Sequence, residues 1–342
     1  MYKNPGIRVI ALVLLINSLV ASDLLFKKGW YKSSKKGSKT LVNDVEHIDN
    51  KQFPDSKYLR VSARLPILVS NSVRNLTKLS TLKLSFCGIT VLKPGAFINL
   101  PNLTTLALID NKIESIPRGV FNNLNVGTLF LQRNQIETID AEAFDDMPNL
   151  FRIKLNANKI STWNGEWFKN TPRLSQLYFR RNKIQVIPER AFKNLKATYL
   201  PGGRIELEIY LSKNLIREIN PKAFDGIDTI RKLMLDRNNI QELNGDIFKG
   251  MKHIDVIFLS KNQLRELPKN LLSALHSDLL TLDLAGNHNF TYLPYEIVSK
   301  VKITEAGDIR RLDCESVFEL VKKLAEQNKT NEIKTGCTEY IE

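Results

Sequence analysis

The sequence predicts an α/β-type solenoid: a horseshoe of stacked coils with a parallel β-sheet on the concave face and irregular or short helical convex segments. Three observations predict it. Nine segments repeat one pattern, from LSTLKLSFCGI at 79 through LTTLALIDNKI at 103 and LSQLYFRRNKI at 174 to LLTLDLAGNHN at 279, and eight of them carry Asn at the ninth place. Those ninth places, Cys87 to Asn287, lie 24, 23, 24, 24, 32, 24, 24 and 25 residues apart. A second column, Phe97, Phe121, Phe144, Phe168, Phe192, Phe224 and Phe248, recurs once per repeat and continues as Leu272. Finally, 342 residues exceed the size at which one core keeps growing, so an elongated array is the economical solution.

The elements follow in chain order. Residues 1–22 read as a secretory signal peptide: Lys3 and Arg8 precede an apolar run from Val9 to Ala21, too short to span a bilayer, and small residues follow. No membrane span is expected elsewhere. Residues 23–57 show no hydrophobic period and hold KKGWYKSSKKGSK, six Lys without an acid, so a basic flexible N-terminal segment is expected. Residues 58–78 form an N-terminal cap or degenerate repeat covering the first turn, and 79–311 carry the repeats. Within each repeat a strand alternates its side chains, so Leu106 and Leu108 point inward while Ala107 faces out. The Asn amide then satisfies buried backbone groups of the turn, and stacking makes it a ladder. At Cys87 a small buried thiol takes that place. Residues 198–206 contain Pro201, Gly202 and Gly203, and removing them restores a 23-residue repeat, so they read as an insertion.

Residues 312–342 form a C-terminal cap. ESVFELVKKLAEQ has apolar residues at helical spacing between Cys314 and Cys337, and an oxidising compartment favours a bridge between those two. The sequons at Asn75, Asn102, Asn289 and Asn328 are N-glycosylation candidates in the same compartment.

The pattern L-x-x-L-x-L-x-x-N-x-L, in its extracellular 24-residue form, resembles the leucine-rich repeat over roughly residues 59–314. The plan is similar to the secreted and ectodomain repeats of Toll, Slit and connectin-like proteins. That resemblance implies a non-enzymatic protein working outside the cell in adhesion, signalling, matrix assembly or immune recognition. It also implies a disulfide-bonded C-terminal cap, although the usual cap has four Cys and the usual N-terminal Cys cluster is missing here.

Outward strand positions define the candidate binding face. One column contributes Phe130, Tyr178, Tyr210, Met234 and Phe258; the column just before the Asn contributes Arg133, Arg181, Lys213, Arg237 and Lys261, with Arg180 beside it. Clustered exposed aromatic groups mark a contact surface more often than a solvated one. The formal charge is +14, or +12 once Lys3 and Arg8 are removed, so an acidic partner is favoured. Of the four His none lies in H-E-x-x-H, and no zinc-spaced Cys pair, G-x-S-x-G or phosphate loop occurs. No enzyme activity, metal or cofactor is expected. The expected partner is an extracellular protein or receptor ectodomain bound on the concave face, with no nucleic acid; acidic glycans or matrix polyanions on the basic stripe and Lys-rich arm form the alternative.

Overall fold

The computed structural model describes residues 24–53, 56–196, 207–276 and 280–305, together with Ser316 and Lys322. Short strands stack into a 13-stranded sheet that begins with an antiparallel hairpin and continues as a parallel array. The repeat strands Thr81–Lys83, Thr105–Ala107, Thr128–Phe130, Arg152–Lys154 and Gln176–Tyr178 pair in register, Leu to Leu. The sheet runs directly from Gln176–Tyr178 to Glu208–Tyr210, so the 32-residue spacing leaves the ladder unbroken; residues 198–206 lie outside the described residues. The opposite side is made of turns and two-residue strands such as Ser115–Ile116 with Thr138–Ile139. A four-residue helix, Tyr295–Val298, follows the last described repeat strand but one.

The inward positions of the repeat strands are buried as expected, but Ala107, expected to face out, is buried as well. Leu82, Leu106, Leu129, Ile153, Leu177, Ile209, Leu233 and Ile257 are buried, as are the partners two residues on from Leu84 to Leu259. Each coil therefore packs its Leu only against its neighbours, which makes stability a nearest-neighbour property. Phe97, Phe121, Phe144 and Phe168 stack at 5.7–6.2 Å, and Phe192 and Phe224 at 5.2 Å. Between Phe168 and Phe192 stands Trp163, 6.5 and 4.9 Å from the two rings, and its indole N–H donates to Ala191 O at 2.8 Å.

The N-terminal expectation is corrected. Residues 23–57 are not a flexible basic segment: Phe26–Lys32 (β1) and Thr40–Val45 (β2) form a hairpin, and β1 pairs antiparallel with Tyr58–Ala63 (β3). The lysines face solvent while Phe26, Val45, Ile48 and Phe53 enter the core and Tyr31 packs edge-on against Phe53 at 5.3 Å. These apolar residues are spread over two strands and a loop, so no single window shows a period, yet together they seal the first coil.

The Asn ladder is realised bond by bond. Asn182 Nδ2 donates to Leu155 O and Phe179 O, both at 2.9 Å, while its Oδ1 accepts from Ile160 N at 3.1 Å. Asn111, Asn134, Asn158, Asn214, Asn238, Asn262 and Asn287 repeat the arrangement. At the N-terminal end the Cys87 thiol lies 3.5 Å from Val61 O and 3.6 Å from Ser85 O, standing where the amide would. Burial pushes its pKa up to about 11 from an ordinary 9.0, opposed by a backbone hydrogen bond at Ala63 and by Arg60. Since the folded state holds the proton more tightly, this contribution to stability is present below pH 9 and is lost as pH rises toward 11. Native Cys87 is expected to resist iodoacetamide at pH 8 and to react once the chain is unfolded, as peptide mass mapping would record; rapid native labelling would contradict its burial.

The residue before each ladder position adopts the left-handed conformation. Phe86, Asp110, Arg133, Ala157, Arg181, Lys213, Arg237 and Lys261 have φ of 55–61°, and Gly286 closes the column at 73°. Each N–H then reaches the next coil, as Ala157 N does to Arg180 O at 2.8 Å. Holding a side chain there costs roughly 1–2 kcal/mol per residue. A β-branched replacement is the worst case, so Ala157→Val should cost about 1 kcal/mol or more, read as a lower urea midpoint, whereas Ala157→Gly should not lower it.

Candidate binding face

The sheet face is built by the outward residues of consecutive strands, and their order in the chain becomes their order in space. Phe130, Lys154, Tyr178 and Tyr210 occupy adjacent strands in register. Lys154 Nζ lies 5.5 Å from the Phe130 ring and 4.8 Å from the Tyr178 ring, and Tyr178 stacks on Tyr210 at 4.4 Å, 9° from parallel. Lys154 has its pKa held below the ordinary value, by desolvation and then by Arg152. Tyr178 is shifted up by desolvation and by Glu208. The ridge continues through half-buried Met234 and Phe258.

Glu208 anchors the ridge; the sequence places it on this face as an acid among the basic residues, but not its bonds to Tyr210 and Arg231. It is buried on the sheet face, accepting from Tyr210 Oη at 2.9 Å on one oxygen and pairing with Arg231 on the other. Tyr210 has its pKa raised strongly, by desolvation first and then by this hydrogen bond. The available signal was Glu208 two residues before Tyr210, a spacing that puts both on one face of a strand. Tyr210 is therefore tied into the sheet: removing the phenol would take a donor from a buried carboxylate.

The basic column divides in two. Arg133 is not a free cation: its guanidinium clamps Asp110 with two 2.6 Å bonds, which raises the Arg133 pKa. Charge there is neutralised within the chain. Toward the C-terminal half, Arg181, Arg237 and Lys261 are exposed and Lys213 half-exposed, and Asp236 lies 3.9 Å from Arg237 Nε. Lys213 has its pKa lowered by partial desolvation and by repulsion from Arg181, Arg237 and Arg180, against the attraction of Asp236. Arg180 is exposed, its N–H fixed by Asn156 Oδ1 at 2.8 Å. Two acceptors on this face, Gln132 Oε1 and Asp236 Oδ1, are buried without a donor among the described residues.

Other sequence expectations fall as follows. Asn75, Asn102 and Asn289 are exposed; Asn328, Cys314 and Cys337 lie outside the described residues. Among the described residues no cluster of His, Cys, Asp and Glu is arranged to hold a metal, and no helix is long and apolar enough to cross a membrane. A shallow groove of about 610 Å³ of mixed polar and apolar lining is formed by Asn123, Leu124, Asp146, Pro148, Lys169 and Pro172, none of them a residue of the aromatic ridge.

A stack of short coils with an in-register parallel sheet and one decorated face defines a repeat-type binding scaffold. The family description "BspA type Leucine rich repeat region", in six copies, matches residues 27–135 and 68–199, and "Leucine rich repeat" matches 228–288. The chain belongs to the leucine-rich repeat family. No curated protein matches it. Among solved structures it is similar to a TLR13–ssRNA13 complex at 20% identity and a TM-score of 0.48, covering 75% of this chain and 46% of that one. The chain thus spans under half the length of that structure.

Proposed function

We propose that the protein is a secreted, non-enzymatic binding module that recognises an extracellular protein or receptor ectodomain through its sheet face. The observation that carries this reading is the Phe130–Lys154–Tyr178–Tyr210 ridge, continued by Met234 and Phe258 and flanked by Arg181, Lys213 and Lys261. A large amphipathic strip held rigid by stacking loses little side-chain entropy on binding, which is the property of an interface anchor. The stacked ring faces of Tyr178 and Tyr210 are turned toward each other, so sugars or bases have little access to them, and a protein surface meeting ring edges fits better. Secretion is supported by the leader-like pattern of residues 1–22, a basic start before a short apolar run, and by the exposure of three sequons.

One observation favours a second reading, an acidic glycan: the basic row is spaced by one strand per charge, about 4.8 Å, without internal partners of equal number. Salt separates the two. The purified chain used as bait in extracellular fluid should retain a protein partner at ionic strength that elutes it from a heparin column. Retention that vanishes in parallel with heparin binding would favour the glycan reading.

A further inference from the structure

We propose that the N-terminal end of the sheet face is a second binding site, for a linear acidic polysaccharide, separate from the aromatic ridge and independent of what binds there. Lys32 of β1 is the register partner of Arg60 of β3, and Arg60 is the partner of Lys83 on the strand Thr81–Lys83. Leu59 and Val61 on either side of Arg60 are buried, as are Leu82 and Leu84 on either side of Lys83, so the cations share the outward face. Arg60 is exposed, and Lys32 and Lys83 are half-exposed. Three positive charges thus stand in one line across three adjacent strands, about 4.8 Å from strand to strand.

That line works against the fold. Like charges directly opposite each other on a sheet are destabilising, and among the described residues none of the three makes an ion pair. The next register partner, Ala107, is neutral. Asp44 and Glu46 lie at the end of β2 away from Lys32, and Asp110 is already clamped by Arg133. Lys83 is instead steered by a ring: its Nζ lies 5.5 Å from the Tyr58 ring. The turn after Lys32 adds exposed Lys35, Lys36 and Lys39 at the same end.

Trp30 selects among polyanions. It precedes Lys32 by two residues and opposes Ser62, itself two residues after Arg60, so its indole sits beside the cation line on the same face. The indole is 42% exposed, and Leu41 across the hairpin is 41% exposed. A sugar ring has an apolar C–H face that stacks on an indole, while its sulfates and carboxylates project from the ring edge toward cations alongside. An extended acidic peptide shows carboxylates on one side only at every second residue, about 6.6 Å apart, wider than the strand spacing.

Binding of a heparin octasaccharide to the purified full chain tests this. At an ionic strength of about 0.15 M, the triple variant Lys32→Gln, Arg60→Gln, Lys83→Gln should lose at least about tenfold in affinity and show a shallower salt dependence. Its urea midpoint should not fall, because mutual repulsion is removed, and circular dichroism checks its fold. Trp30→Ala should weaken binding with the salt slope unchanged. Since Trp163 and Trp167 are buried, acrylamide quenching reports chiefly on Trp30 and should fall when heparin binds. The variant Arg181→Gln, Lys213→Gln, Lys261→Gln and the variant Tyr178→Ala should both keep wild-type heparin affinity, so the result stands whether or not the ridge holds a protein partner. A Lys32, Arg60 and Lys83 variant that binds heparin like wild type, or a loss that follows the Arg181 row instead, overturns the proposal. So does protection of Trp30 by polyglutamate or by phosphatidylserine vesicles equal to that by heparin, which would make the face a site for acidic proteins or for membranes.

Discussion

Asn182→Ala should destabilise the chain by about 2–4 kcal/mol, read as a drop in urea midpoint at unchanged slope. The ladder geometry sets this figure. Leu155 O also accepts from Asn158, and Phe179 O from Asn214, so each carbonyl keeps one donor when Asn182 is removed. Ile160 N does not: Asn182 Oδ1 is the acceptor recorded for it, and the amide is buried at a coil junction. One orphaned N–H costs roughly 1–3 kcal/mol, and two half-satisfied carbonyls with the vacated volume add to it. Asn156, two residues before a ladder position, is the control: its Oδ1 holds an exposed Arg180 N–H, so Asn156→Ala should cost under about 1 kcal/mol. Equal losses at the two positions would mean that the ladder carries no special share of the stability.

Nearly all of the repeat architecture was legible because it depends on local periods. Alternation fixed which side of each strand enters the core, and the 24-residue recurrence fixed what stacks on what. Two kinds of feature were not legible. The hairpin escaped because Phe26, Val45, Ile48 and Phe53 form one buried patch from distant segments, with lysines between them. The left-handed column escaped because Phe, Asp, Arg, Ala and Lys at those places carry no glycine signature; the conformation is imposed by the coil junction. On the binding face, columns were legible but pairings across them were not. Arg133 and Arg181 occupy equivalent positions, yet only Arg133 meets an aspartate on the preceding coil.

The largest functional effect is expected from Tyr178→Ala combined with Phe258→Ala, which should weaken partner binding by more than about 2 kcal/mol, roughly 30-fold, while leaving folding intact. Both side chains are half-exposed; the Tyr178 hydroxyl is hydrogen-bonded to that of Tyr210, which keeps its own bond to Glu208 when Tyr178 is truncated. Tyr210 must be handled differently. Tyr210→Phe keeps the ring on Tyr178 but removes the donor to Glu208, so stability should fall by about 1 kcal/mol with binding largely kept. Reversing Arg181, Lys213 and Lys261 to Glu should act mainly on association rate and salt dependence, since exposed charges are screened and steer encounter more than they hold the complex. Should the double aromatic variant bind like wild type while the charge reversal abolishes binding at every salt concentration, the aromatic ridge is a packing device and the basic row is the site. A double variant that fails to fold points instead to the ridge as a brace for the sheet, with Lys154 losing one of the two rings that hold its ammonium in a desolvated position.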